Sequence, residues 1–176
     1  MRGNDAPGVA SGIVDDVRPG ADARIHADAQ DDADVGVAKE FVSFAVGADQ
    51  YGVDIMSVRE IREWSKVTRL PKQPDYVRGV LNLRGVMVPI VDLRCRFGQG
   101  LTEATPQHIV IVVQIDERVI GLLVDRVLDI LALASNAILP VPKVTQSSRI
   151  EFLSGLFTTN DELVALIDLP GLLPAG

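Results

Sequence analysis

Few side chains in this chain have both the type and the spacing to do chemistry. The two histidines, His26 and His108, lie far apart, one in an acidic leader and one at the entrance to an apolar run. They offer neither a metal-ligand spacing nor a Ser-His pairing. Cys95 has Arg94 and Arg96 beside it, cations that would lower the pKa of an exposed thiol and make it a nucleophile or redox centre. The plainer reading of Cys95 is a small, semi-buried residue in a short turn after Val91-Asp92-Leu93. Asp54 with Glu60, and Asp125 with Asp129, have the form of acid/base pairs, but nothing in the pattern implies a cleft, and they read as solvated strand faces. Phosphate cradles, H-E-x-x-H, C-x-x-C and G-x-S-x-G are all missing from the text. The expectation is a protein with no catalytic residues, no metal and no cofactor.

Composition narrows the class. The chain has 176 residues, 47% hydrophobic and 23% charged, the profile of a globular protein large enough for a self-sufficient core. A lone cysteine and an acidic, Gly-rich start with no apolar leader point to the cytoplasm. Apolar runs such as Ile109 to Val113 fall far short of the roughly 18 residues of a membrane helix. Residues 1–38 hold eight Asp and three Arg, net −5, and residues 39–176 hold 16 acids and 14 bases, net −2. Neither part attracts nucleic acid or anionic lipid, so neither nucleic-acid binding nor direct membrane insertion is expected.

The elements that would position these residues are short and β-rich. Residues 1–38, rich in Ala, Asp and Gly and without aromatics, predict a disordered acidic tail, with an acidic docking segment as the other use of such a composition. From residue 39 a folded part begins. Phe41 to Val46 and Tyr51 to Ile55 form a hairpin across Gly47-Ala48-Asp49-Gln50, and Val58 to Ile61 extends as a strand. Trp64 to Pro74 reads as a loop, with Trp64 either a core lid or an interface aromatic. Tyr76 to Val80 predicts one turn of helix, followed by a turn at Asn82-Leu83-Arg84-Gly85 and a strand from Val86 to Val91. Pro89 places that strand at an edge or beside a bulge.

The second half repeats the first. Gly52 and Gly121 are 69 residues apart, as are Val58-Arg59-Glu60-Ile61 and Val127-Leu128-Asp129-Ile130. Gly79 and Gly155 are 76 apart, as are Val91-Asp92-Leu93 and Ile167-Asp168-Leu169. Two small all-β units, each marginal alone, should pack together as one body.

The ordered pattern G-x-x-N-L-R-G-x-x-x-P-I-x-D-L, which runs from Gly79 to Leu93, follows Val58-Arg59-Glu60-Ile61-Arg62 and Val67-Thr68-Arg69-Leu70-Pro71. With Ile120 to Val127 and Phe152 to Leu156, it makes residues 39–173 similar to the CheW-like family of chemotaxis coupling proteins. The resemblance implies an all-β fold with a few short helices, built as two intertwined five-stranded SH3-like β-barrels around a shared apolar seam. It implies a non-catalytic adaptor that binds the cytoplasmic tip of methyl-accepting chemoreceptors and the regulatory domain of the histidine kinase CheA. It also implies self-containing or CheA-containing rings at the inner face of the membrane. Carried over residue by residue, the receptor- and kinase-binding surface comprises Val58, Glu60, Gly79, Asn82, Leu83, Arg84 and Gly85. Arg84 there offers a guanidinium fork from a turn, and Val58 an apolar floor.

Other readings stand beside this one. The same domain serves coupling proteins of twitching or surface-sensing arrays, and the motif belongs to the domain, not the pathway. A coupling protein with an added receiver needs roughly 120 further residues, for which there is no room. A small enzyme or an oligonucleotide-binding barrel would need a positioned catalytic group or a basic, aromatic face.

Overall fold

A computed structural model describes residues 38–142 and 150–173. The tail expected over residues 1–38 lies almost wholly outside the described residues. A compact unit begins at Lys39.

Ten strands follow in order: β1 (Lys39–Val46), β2 (Asp49–Asp54), β3 (Val58–Glu63), β4 (Val77–Leu83), β5 (Val86–Asp92), β6 (Ile109–Ile115), β7 (Arg118–Val124), β8 (Arg126–Leu133), β9 (Leu153–Thr159) and β10 (Glu162–Ile167). One-turn helices, Leu93–Arg96 and Leu169–Leu172, follow β5 and β10. The strands form two five-stranded sheets, ordered β8-β1-β2-β10-β9 and β3-β6-β7-β5-β4. Each sheet takes its leading hairpin from one half of the chain and its other three strands from the other half. This exchange is what intertwines the two barrels.

Each barrel is closed by the chain that leaves it. The Trp64 amide donates to the His108 carbonyl at 2.9 Å, carrying the pairing of β3 with β6 onward. Thr68 and Val80 then exchange two backbone bonds at 3.0 and 2.8 Å against the outer edge of β4. Leu139 and Leu156 exchange the equivalent pair at 2.8 and 2.9 Å against β9.

Three apolar clusters result. The largest lies between the barrels and draws on both: Val42, Phe44 and Val53 from the first sheet meet Ile111, Val113 and Leu122 from the second. Phe44, Tyr51, Phe97 and Phe152 run through it as a chain of ring contacts with centroids 4.8 to 6.1 Å apart. Val88, Ile90, Val110, Val112 and Leu123 fill one barrel, and Phe41, Leu133, Val164 and Leu166 fill the other. Phe41 to Val46 is therefore buried throughout and not on alternate positions. As an inner strand between two packed layers, it has apolar contacts on both faces.

The repeat reappears in the strand registers. Ile90 stands opposite Gly121 in the parallel pairing of β5 with β7, and Leu166 stands opposite Gly52 in that of β10 with β2. Both glycines serve close approach: a Cβ on Gly121 would meet the Ile90 Cδ1 at 2.5 Å, and one on Gly52 the Leu166 Cδ2 at 3.0 Å.

Two local expectations change. Residues 77–80 are strand and not helix, because β4 is held on one side by β5 and on the other by Thr68. The strand containing Pro89 is an interior one and not an edge. The expected bulge does lie beside it, where the β4–β5 pairing shifts register between Val77 and Gly79 opposite Val91 and Ile90. Pro89 faces Val80, whose N–H and C=O are both bonded to Thr68, so the Pro89 nitrogen points toward β7. Having no N–H to offer there, it delays the ladder: β5 joins β7 only at Ile90, whereas β10 joins β2 at Val164, two residues earlier by the 76-residue offset.

Candidate protein-interaction site

β3 and the β4–β5 turn bring most of the expected surface together. The turn is a two-residue hairpin connection in which Arg84 and Gly85 have φ of 53° and 87°, the geometry of a tight turn that follows the strand twist. The Asn82 Oδ1 accepts from the Gly85 amide at 2.9 Å and fixes it. Leu83, one residue before, is partly buried against the core of the second barrel and anchors the turn. These local bonds hold out the Arg84 side chain, which is 84% exposed.

On β3, Glu60 answers it. Its carboxylate forms an ion pair with the Arg84 Nη2 at 3.2 Å and accepts from the Arg62 Nη1 at 3.2 Å. Val58, two residues back, stands opposite Val113 across a register shift that separates it from Glu60, and it is half-buried against the seam between the barrels. Gly79 differs from the others in kind. It is buried, its φ is 144°, and a Cβ there would sit 2.3 Å from the Thr68 carbonyl oxygen. Its part is to let the closing segment reach β4, which supports the surface from beneath.

At the other end of the β4–β5 hairpin from the turn lies a polar node that spacing did not reveal. Asp92 is fully buried. Its carboxylate accepts from the Thr102 amide at 2.8 Å, the Thr102 hydroxyl at 2.7 Å, the Cys95 amide at 3.3 Å and the Arg78 Nη1 at 2.9 Å. The Arg78 guanidinium also donates to the Thr102 carbonyl and lies 5.7 Å over the Trp64 ring. Trp64 is thus a partly buried lid on the second barrel. The one signal for this node was the D-L pair ending the repeat.

The groups with possible chemistry are engaged separately. Asp54 caps Met56, and Asp129 accepts from the Ile130 amide. Asp125 accepts from the Gly47 amide at 2.7 Å and pairs with Arg94 at 3.1 Å, with the His108 Nε2 at 3.5 Å. The Thr105 hydroxyl lies 3.0 Å from the His108 Nδ1, but that nitrogen also faces the Thr105 amide, and the hydroxyl accepts from Gln107. That is a turn cap. Among the described residues, no group of three or more His, Cys, Asp or Glu could hold a metal ion, and no helix is long and apolar enough to cross a membrane. Burial pushes the Cys95 thiol up, helped by the charges of Asp92 and Asp75 and opposed by Arg78. This is opposite to the direction its flanking arginines suggest.

The family model of the CheW-like domain matches residues 40–175. Chemotaxis protein CheW of Klebsiella aerogenes is 41% identical over 137 residues, covering 78% of this chain and 82% of its own. That of Rhizobium meliloti is 40% identical, covering 78% and 88%. The crystal structure of the scaffolding protein TtCheW from Thermoanaerobacter tengcongensis superposes with a TM-score of 0.72 at 33% identity, covering 78% of this chain and 89% of that one. The chain therefore belongs to the CheW-like family of chemotaxis scaffold proteins, and it is not an enzyme.

Proposed function

We propose that this protein couples the cytoplasmic tip of a methyl-accepting chemoreceptor to the regulatory domain of the histidine kinase CheA, working in the cytoplasm at the inner face of the membrane. The receptor meets the surface formed by Val58, Glu60 and the turn Asn82-Leu83-Arg84-Gly85, with Gly79 keeping the underlying strands close. The observation that supports this most is the placement of Arg84. A long cation occupies a left-handed turn position, 84% exposed, with its guanidinium beside Glu60. An Arg–Glu pair next to an apolar floor suits a receptor helix that carries both acidic and apolar side chains. Repeated barrel-to-barrel contacts with CheA or with further copies would build rings from contacts that are weak singly.

The test is a pull-down with a CheA-type kinase and a receptor hairpin, run with the wild type and Arg84→Glu. The expected result is that both partners are retained by the wild type and that receptor retention drops in the variant while kinase retention persists. Equal receptor retention by both proteins would remove Arg84 from the contact. Retention of neither partner by the wild type would end the coupling reading.

A further inference from the structure

We propose that the cavity between Trp64 and Leu101 docks an acidic segment of a partner protein, one that alternates carboxylates with a bulky apolar side chain. This site is separate from the receptor surface, since neither Arg84 nor Glu60 lines it, and it does not rest on the coupling reading. The cavity measures about 410 Å³, and its walls include Trp64, Lys66, Arg69, Leu70, Arg78 and Leu101.

Charge complementarity names the occupant. Residues 64–75 carry Lys66, Arg69 and Lys72 against one acid, Asp75, for a local net of +2 on a folded part of net −2. None of the three cations makes an ion pair among the described residues, where Arg62, Arg78, Arg84 and Arg94 all do. Unpaired cations gathered in one place on an acidic protein will select an acidic ligand and steer its approach.

The back wall is pre-arranged. Asp92 and the Thr102 carbonyl both take their bonds from the Arg78 Nη1, which leaves Nε and Nη2 for a ligand carboxylate, and the side chain keeps 24% exposure. A guanidinium fixed in this way loses little freedom on binding. Leu70 and Leu101 are 43% and 55% exposed on the same walls, so an apolar side chain of the ligand has surface to cover. Asp75, the one acid on the walls, is exposed and leaves the lining cationic against Lys66, Arg69 and Arg78.

The test uses the full chain and a short fluorescein-labelled peptide repeating Asp-Glu-Phe, read by fluorescence anisotropy at low and high salt. Lys66→Glu with Arg69→Glu should weaken binding about tenfold or more, and Leu101→Ser several-fold. Arg118→Glu with Arg126→Glu, the same charge change elsewhere on the surface, should weaken it much less, and Arg84→Ala not at all. A peptide with Ser in place of Phe should bind more weakly. The proposal is overturned if the wild type does not bind, if the control pair loses as much affinity, or if the Phe-free peptide binds equally. It is also overturned if phosphatidylserine vesicles are bound in preference with the same sensitivity to Lys66 and Arg69.

Discussion

Arg84 places its Nη2 3.2 Å from the Glu60 carboxylate while its own backbone sits at φ 53°. Left-handed turn positions favour Gly, Asn and Asp. The corresponding turn in the second half obeys that preference, with Asn160 and Asp161 at φ 49° and 65°. Arg84 is therefore held against local preference, and a surface ion pair of this kind contributes at most about 1 kcal/mol in return. Arg84→Asn should leave stability unchanged or raise it by up to about 1 kcal/mol while abolishing receptor-fragment retention. Urea unfolding and a pull-down read the two effects. A less stable variant, or one that still binds, would contradict the account.

Gly121 and Gly52 occupy equivalent places with unequal room. A methyl at Gly121 meets Ile90 Cδ1 at 2.5 Å and Val110 Cγ1 at 2.8 Å, both in a filled barrel, while at Gly52 the nearest atom is Leu166 Cδ2 at 3.0 Å. Overpacking costs about 1–3 kcal/mol, and a strand glycine gains about 0.5–1 kcal/mol on conversion to alanine. Gly121→Ala should therefore destabilise by about 1–2 kcal/mol, and Gly52→Ala should be near neutral. Equal unfolding midpoints for the two variants would show that the barrels are not packed as unequally as the distances indicate.

These glycines show what the sequence could reveal. Spacing alone located Gly52 with Gly121 and Gly79 with Gly155, because a close backbone approach tolerates one residue type and so leaves a mark at a fixed position. It could not show that the halves exchange strands, since a strand's partner is chosen by packing across the whole body and not by its own pattern. The strand at Val77, where local pattern predicts a helix turn, differs for the same reason: neighbours, not local preference, decide it. At the interaction site the turn was legible from Asn82 and Gly85. The ion pair from Arg84 to Glu60 joins residues 24 apart in sequence and had no local signal.

Asp92 and Asp168 end the two repeats with the same residue and opposite duties. Asp92 is fully buried and accepts four bonds, including one from Arg78, whereas the Asp168 side chain caps no amide of the helix it precedes. Removing one partner of a buried, bonded charge pair leaves donors unsatisfied, and Arg78 keeps enough solvent contact to soften the loss. Asp92→Ala should cost about 3 kcal/mol, against less than about 1 kcal/mol for Asp168→Ala. Denaturant titration of both variants decides it, and equal losses would mean that Asp92 is not the node the geometry makes it.

Cys95 should behave as an unreactive thiol. Its neighbours in sequence look elsewhere: Arg94 pairs with Asp125 at 3.1 Å, and Arg96 lies 4.3 Å over the rings of both Tyr76 and Phe152 while donating to the Leu172 carbonyl. Burial, followed by the charges of Asp92 and Asp75, instead favours the neutral thiol. At neutral pH, iodoacetamide should therefore modify Cys95 more slowly than it modifies glutathione, with the rate climbing only in alkaline solution. The same shift links to stability. The folded state keeps its proton after the unfolded chain has lost it, so the contribution is complete below the unfolded pKa and is lost as pH rises through the folded one. Cys95→Ser should remove that alkaline loss. Faster alkylation than glutathione at neutral pH would show that the arginines, and not burial, govern this residue.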